Sequence, residues 1–368
     1  MVGARPNFVK MAPIIEALAR RDHIRQYVVH TGQHYDERMS DEMLADLQFP
    51  EPDAFLGVGS GTHGDQTGRV LIAFEEVLLA RRPDVVVVGG DVNSTLACAL
   101  AAAKLGIPVA HVEAGLRSGD WTMPEEVNRV LTDRLSHFLF THSPEAEENL
   151  TSEGIAPERI HYVGNTMIDS LRQFEVPARE RKTWRGLGLA EREYVLITLH
   201  RPSNVDDPAR LNPLVDGLCR LARRTPSVFP IHPRTRLRLQ QAGRLEELEA
   251  AGVRCIEPVG YLDFLSLEIG SGALLTDSGG VQEETSALGI PCYTLRPNTE
   301  RPVTISQGTN VLLGDDPGAI ERVVPSARPP APCLIPLWDG RSGERIADCL
   351  LSSPQTRTAT MSVGRGVG

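Results

Sequence analysis

The chain has no CxxC pair, no cysteine near a histidine at metal-ligand spacing, and no HExxH or DxD sequence, which argues against zinc sites and zinc hydrolases. GxSxG and Walker A sequences are missing as well, so esterases of the α/β-hydrolase type and P-loop NTPases are disfavoured. No uncharged run approaches the roughly 20 residues that a membrane-spanning helix needs. The N-terminus, Met-Val-Gly-Ala-Arg-Pro, lacks the apolar stretch of a signal peptide. No run of lysine and arginine occurs, and 48 acidic against 38 basic residues give a net charge of −10. A general nucleic-acid binder needs the opposite balance. The six cysteines, Cys98, Cys219, Cys255, Cys292, Cys333 and Cys349, lie far apart and read as reduced thiols of a soluble cytoplasmic protein.

What remains is an ordinary globular composition. With 368 residues, 41% of them apolar and 23% charged, the chain can bury real cores, and at roughly 100–200 residues per domain it suggests two domains. The clearest strand is 84–89, where Val85 to Val88 form a β-branched run of the kind covered on both faces of a parallel sheet. Gly89 and Gly90 follow, then an Ala/Leu-rich helical stretch at 94–105 closed by Gly106, then a second strand from Ile107; this is a βαβ unit. The rhythm recurs with a strand at 138–140, a helix at 144–153 and a strand at 161–164. The charged stretch 176–192 has no strand pattern and reads as the approach to a second domain, with strands expected at 194–199, 228–231, 253–256, 273–276 and 292–295. The fold expected is α/β, two Rossmann-like doubly wound domains facing a cleft. Gly3-Ala4-Arg5-Pro6 resembles the turn after a first strand, yet only Met1 and Val2 precede it, so the native start is expected upstream.

In open parallel sheets ligands sit beyond the carboxyl ends of the strands, and the residues there are the candidates. Ser278-Gly279-Gly280 follows the strand ending at Asp277 and opens a helical run closed by Gly289. Backbone N–H groups and the helix dipole at such a point suit a phosphate, although a plain N-cap reads the same way. Glu283 and Glu284 in the next turn either complement the dipole or accept hydrogen bonds from sugar hydroxyls, and a nucleotide ribose satisfies both observations. Asp91, Glu113 and His200-Arg201 are polar at the same kind of post-strand position; each alone has a structural reading, and their shared placement favours a site. Glu125 and Arg129 project from one face of a helix opening at Pro124, either as an exposed ion pair or as part of that site. Arg5, Lys10 and Arg301 form a scattered cationic set suited to a diphosphate. The constellation points to nucleotide-diphosphate binding and carboxylate acid/base chemistry, without a metal ligand set.

These stretches, GARPNFVK at 3–10, GDVNSTL at 90–96, HVEAGLR at 111–117, PEEVNR at 124–129, GNT at 164–166, TLHR at 198–201, TDSGGVQEE at 276–284 and TERP at 299–302, resemble the non-hydrolysing UDP-N-acetylglucosamine 2-epimerases. They occur in family order over nearly the whole chain. The resemblance implies a glycosyltransferase-B-like fold with domains 1–170 and 171–341, a C-terminal helix 342–356 crossing back to the first domain, a flexible tail 357–368, and closure over the ligand. It implies reversible conversion of UDP-GlcNAc to UDP-ManNAc with no cofactor and no metal. Anti elimination of UDP gives 2-acetamidoglucal, and UDP adds back as a proton reaches the other face of C2. The weakly acidic C2 proton calls for a positioned carboxylate while cationic groups stabilise the departing diphosphate.

Carried over residue by residue, the resemblance makes Asp91, Glu113 and Glu125 the acid/base candidates, with Arg129 and His200 beside them. Arg5, Lys10, Ser278, Gly279, Gly280, Glu284 and Arg301 become UDP ligands, Glu284 on the ribose and Phe264 near the uracil. Gln33, His34, Arg69 and His232 lie where bacterial members take an activating UDP-GlcNAc. A homodimer is implied, with UDP-GlcNAc, UDP-ManNAc and UDP as ligands and neither nucleic acid nor membrane as partner. Pro202-Ser203-Asn204 stands where the family often has a second arginine and a glutamate. The 90–95 stretch favours the non-hydrolysing branch, since hydrolysing relatives tend to carry Asp-Arg-x-Glu there. The competing readings are a hydrolysing epimerase, an epimerase of a 3-amino uronic acid nucleotide sugar, a glycosyltransferase of the same fold that needs an acceptor, and a catalytically silent nucleotide-sugar sensor.

Overall fold

The structure, a computed structural model, describes residues 1–3, 5–33, 46–47, 49–328, 331 and 334–352, with only the backbone of Arg5 and Pro6. His34, Cys333 and the tail after Ser352 lie outside these residues. The chain forms two compact units, Met1–Ser170 with the segment from Pro336, and Leu171–Ile335.

In the second unit, β7 (Val195–Thr198), β8 (Ser227–Pro230), β9 (Val253–Ile256), β10 (Ala273–Thr276), β11 (Cys292–Thr294) and β12 (Asn310–Leu312) make one parallel sheet in the order β12-β11-β10-β7-β8-β9. The first and fourth strands are neighbours, so the order reverses between β7 and β10, the switch point where doubly wound sheets take their ligands. Val195 pairs with Ala273 and Thr198 with Thr276, so both strands end level and the residues after them emerge side by side. The near-continuous apolar runs VLI and ALL are what a strand covered on both faces requires. One cover is the helix Pro208–Ala222, whose Asp207 accepts a capping bond from the Ala209 amide at 2.9 Å ahead of Pro208. Its Leu211, Leu214, Val215 and Leu218, at helical spacing, pack with Val195, Ile197 and Leu275 in the buried core.

The first unit carries β1 (Val29–His30) and β2 (Ala54–Phe55) as a two-stranded piece, and β3 (Val86–Gly89), β4 (Val109–Val112), β5 (Phe138–Thr141) and β6 (Ile160–Tyr162) as a four-stranded piece, all parallel. Met1 and Val2 stand between the two. Val2 N–H donates to Val29 at 2.9 Å, Thr31 N–H donates to the Val2 carbonyl at 2.9 Å, and the Met1 amino group donates to the Val87 carbonyl at 3.0 Å. The first-strand position is therefore held by two residues, and the switch point lies between Val2 and β3. The helices His63–Arg81 and Asn93–Lys104 pack Val70, Phe74, Leu78, Ala97 and Ala101 with Val86 and Val88.

Details differ from the reading of the sequence. The stretch 176–192 begins as helix, with Thr166–Arg181 running through it and Thr183–Gly186 following. The segment from Pro336 packs on the first unit ahead of the helix Ser342–Ser352. Trp338 Nε1 donates to the His142 carbonyl at 2.9 Å and Gly343 N–H to Asp169 at 2.7 Å. A GxGxxG spacing, Gly59 to Gly64, does occur before the helix His63–Arg81, but it follows β2, away from the switch point. A side chain at Gly61 would meet Asp65 at 2.5 Å and Arg69 at 2.6 Å, so the ion pair of these two residues crowds the turn. No helix among the described residues is long and apolar enough to cross a membrane.

Candidate active site

The first unit's switch point carries two charged pairs on adjacent strand ends. Asp91, just past β3, accepts from Arg129 Nε at 3.1 Å and Nη2 at 2.6 Å, both on Oδ2. Arg129 is only 2% exposed, and its remaining terminal nitrogen reaches Glu126 at 2.8 Å. The surface pair of Arg129 with Glu125 suggested by their spacing is thus not what forms: Arg129 is buried and serves Asp91 and Glu126. Burial opposes the charge on Glu126, but the amides of Ser118 and Gly119, Arg129 and the Ser118 hydroxyl outweigh it and hold its carboxyl below the usual range. Glu125, half-buried in the first turn of the helix Pro124–Leu135, has no hydrogen bond or ion pair among the described residues.

Glu113, the residue after β4, has φ +69°, a left-handed backbone that a non-glycine residue adopts at a cost of about 1 kcal/mol or more and that clusters at functional sites. Its carboxylate pairs with Nζ of Lys10, itself buried on the helix Arg5–Ala19. Gly90 is also left-handed, and a side chain there would sit 3.2 Å from Lys10 Nζ and 3.7 Å from Glu113 Oε2; glycine keeps the two carboxylates' loops close. Arg5 opens that helix.

In the second unit the level ends of β7 and β10 bring His200, Arg201, Asp277 and Ser278 together. Asp277, fully buried, accepts from the His200 amide at 3.1 Å, the Arg201 amide at 2.9 Å and Asn204 Nδ2 at 3.1 Å, and lies 3.1 Å from His200 Nδ1. Burial alone would raise its carboxyl, but His200 and these donors keep it below the ordinary range. Asp277 therefore orients the His200 ring, which is 42% exposed. Ser278 stands at the N-cap of the helix Gly279–Leu288 yet makes no side-chain bond to it, unlike a plain capping serine. A side chain at Gly279 would meet Arg301 Nη1 at 2.3 Å. Arg301 pairs with Glu283 at 3.0 Å and Glu300 at 2.6 Å, and Glu300 also takes Arg296 at 2.7 Å and Arg201 at 3.4 Å. Arg201, Arg296 and Arg301 gather around Glu300, with Glu283 and Asp277 balancing their charge, so what the turn offers a diphosphate is a set of oriented guanidinium and amide donors. Glu284 accepts from the Tyr261 hydroxyl at 3.2 Å, and Phe264 is half-buried in the first turn of the helix Tyr261–Gly270. No cluster of His, Cys, Asp and Glu among the described residues could hold a metal ion.

Residues 16–351 match the family model described as UDP-N-acetylglucosamine 2-epimerase. The chain belongs to that family. It is 45% identical over 360 residues to the UDP-N-acetylglucosamine 2-epimerase of Methanocaldococcus jannaschii, covering 95% of this chain and 97% of the relative. It is 43% identical over 332 residues to the UDP-2,3-diacetamido-2,3-dideoxy-D-glucuronate 2-epimerase of Pseudomonas aeruginosa, covering 89% and 90%. The crystal structure of the M. jannaschii enzyme in complex with UDP-GlcNAc and UDP superposes with a TM-score of 0.87, covering 96% of this chain and 98% of that one. The fold is that of the 2-epimerases, α/β with parallel sheets.

Within this family chain, the residues assigned to an activator are dispersed in role. Gln33 is buried, its side-chain oxygen taking the Ser94 amide at 3.0 Å and hydroxyl at 2.7 Å. Arg69 is exposed and bonds Asp65 at 2.6 Å and the Ser60 carbonyl at 3.1 Å. His232 is exposed, with its ring 5.8 Å from that of His200. His34 lies outside the described residues. Sequence reading passed over Asp277, Glu300, Glu126 and the buried pair His111 and Asp133. The signal for Asp277 was available, since it is the last residue before the glycine turn; which of two adjacent glutamates turns inward is set by packing and left no signal.

Proposed function

We propose that the chain interconverts UDP-GlcNAc and UDP-ManNAc by eliminating UDP and adding it back, without hydrolysis and without a cofactor. The observation that supports this most directly is the pairing of Asp91 with Arg129 and of Glu113 with Lys10 on adjacent strand ends of one unit. A C2 proton must leave one face of the sugar and return to the other, so two separately oriented carboxylates are required. Asp91 and Glu113 supply them, with Glu125, on the helix that carries Arg129, as a third carboxylate. In the elimination the C2–H bond gives its proton to a carboxylate while the C1–O bond breaks toward the diphosphate; in the return step the C1–O bond re-forms on its original face and C2 takes a proton from the other carboxyl group on the opposite face. The second unit holds the nucleotide: Ser278 and the Gly279 and Gly280 amides with Arg301 take the diphosphate, Glu284 the ribose hydroxyls, and Phe264 the uracil. Lys10 and Arg5 add positive charge for the leaving group, and His200, oriented by Asp277, donates a hydrogen bond to it.

A second reading, favoured by the 43% identity to the P. aeruginosa relative, is 2-epimerisation of a 3-acetamido uronic acid nucleotide sugar. Incubation with UDP-GlcNAc and, separately, with UDP-2,3-diacetamido-2,3-dideoxy-D-glucuronate, followed by anion-exchange separation, decides between them. UDP-GlcNAc should approach equilibrium with UDP-ManNAc. Turnover of the uronate alone would transfer the assignment; free sugar with UDP would indicate hydrolysis, and no change a transferase or sensor. The protein is read as cytoplasmic and as a homodimer, and sedimentation equilibrium checks the dimer.

A further inference from the structure

His111 is the third residue of β4 and fully buried, as is Asp133 on the helix Pro124–Leu135. Its Nδ1 lies 2.7 Å from Asp133 Oδ1 and its Nε2 lies 2.8 Å from the carbonyl oxygen of Gly90. A carbonyl oxygen only accepts, so Nε2 carries a hydrogen. Asp133 Oδ2 accepts from the Gly115 amide at 3.2 Å and pairs with Arg117 at 2.8 Å, which marks Asp133 as a carboxylate, so Nδ1 donates as well. A ring with hydrogen on both nitrogens is an imidazolium. The same helix carries Arg129, one turn before Asp133, and Arg129 grips the Asp91 side chain. The turn at Gly90 and Asp91 is thus held on the Gly90 carbonyl by His111 and on the Asp91 carboxylate by Arg129, while the Gly90 amide donates to the Val112 carbonyl at 3.0 Å and Asn128 Nδ2 donates to the Asp91 carbonyl at 2.9 Å.

We propose that His111, as an imidazolium paired with buried Asp133, is a positioning residue for Asp91: it fixes the peptide between Gly90 and Asp91 and so sets the aim of the carboxylate without touching substrate. The inference rests on the epimerase reading above. Gly90 is left-handed at φ +69°, and a glycine peptide with an unanchored carbonyl is the easiest place in the chain to rotate. The donor from His111 removes that freedom, and the charge pair with Asp133 keeps the donor in place after Arg117 has anchored Asp133 in turn.

Two measurements on the full chain test this. In the ¹⁵N imidazole spectrum of labelled wild-type protein at neutral pH, His111 should show two protonated ring nitrogens, its ring being assigned in the wild type by through-space contacts to the Gly90 α protons. One bare nitrogen there overturns the proposal, and this measurement does not depend on a buried variant folding. In His111→Gln, kcat should fall about 10- to 100-fold while the KM for UDP-GlcNAc and the Kd for UDP stay within about twofold, because misaim of about 1 Å is felt in the chemical step. Wild-type kcat, or a loss confined to KM, overturns it. Two protonated nitrogens in a wild-type protein that leaves UDP-GlcNAc unchanged would instead remove the epimerase reading.

Discussion

Replacing Arg129 by methionine removes the guanidinium that holds Asp91 while keeping a side chain of similar length in a buried slot. Deleting one member of a buried ion pair costs about 3–5 kcal/mol when the other charge is stranded. Here the stranding is partial. Glu126 keeps the Ser118 amide, the Ser118 hydroxyl and the Gly119 amide, and the Asp91 side chain is 25% exposed and can take water. The loss in folding free energy should therefore fall to roughly 2–3 kcal/mol, near the value of one or two charge-assisted hydrogen bonds. Catalysis should suffer separately, since both donors on Asp91 go: a loosened carboxylate loses about 100-fold in kcat, equivalent to roughly 2.7 kcal/mol. Urea denaturation, initial rates of UDP-ManNAc formation and calorimetric UDP binding measure the three quantities on one preparation. Arg129→Lys, which keeps the charge but not the fork, should recover stability more than rate. A folded Arg129→Met with turnover within about threefold of wild type would refute the anchoring role. A fall in UDP affinity that matches the fall in rate would make Arg129 a ligand and not an anchor.

Three further expectations follow from the same geometry. Asp91→Asn and Glu113→Gln should each abolish epimerisation while UDP still binds, checked by coupled turnover and calorimetry; near-normal turnover in either would remove that carboxylate from the chemistry. Glu268 is fully buried with neither carboxyl oxygen hydrogen-bonded among the described residues, and burial, then Glu284, pushes its carboxyl well above the ordinary range. Burial likewise pushes Glu284 up to about 8, against the Tyr261 hydrogen bond and with Glu283 adding to it. Folded-state values above unfolded ones mean stability is greatest below the ordinary glutamate range, about pH 4.3, and declines as pH rises toward the folded values. Glu268→Gln should therefore flatten the fall of Tm between about pH 5 and pH 8, and an unchanged slope would contradict the burial account. In assays started from UDP-ManNAc, added UDP-GlcNAc should shorten the lag and raise the rate if Arg69, His232 and Gln33 serve an activator; identical progress curves would dismiss that site.

Much of this was written in local pattern. The valine run of β3, the post-strand positions of Asp91, Glu113 and His200, and the Ser278-Gly279-Gly280 turn are short-range features, and the structure places each at the strand end where it was expected. What escaped depends on distance in space. β1 and β2 are two residues long and carry no periodicity to detect. The Glu125 and Arg129 spacing was compatible with a surface pair because helical geometry says which side chains share a face, not what lies opposite; Asp91, 38 positions earlier, decides it. Asp277 as the organiser of His200, Arg201 and Asn204, and Glu300 as the hub of three arginines, likewise emerge only when parallel strands end level. The charged stretch after residue 175 lacks a strand pattern for a simple reason: it starts inside a helix, where charge on one face is no signal of a boundary.

The central claim is that carboxylates of this chain remove and return the C2 proton of an intact nucleotide sugar. Incubating the protein with UDP-GlcNAc alone in D2O and following C2 by proton NMR tests it most directly. The account predicts equilibrium UDP-ManNAc with deuterium at C2 in both epimers and no free sugar. Epimerisation with C2 fully protonated, release of free ManNAc, or an unchanged spectrum would contradict it.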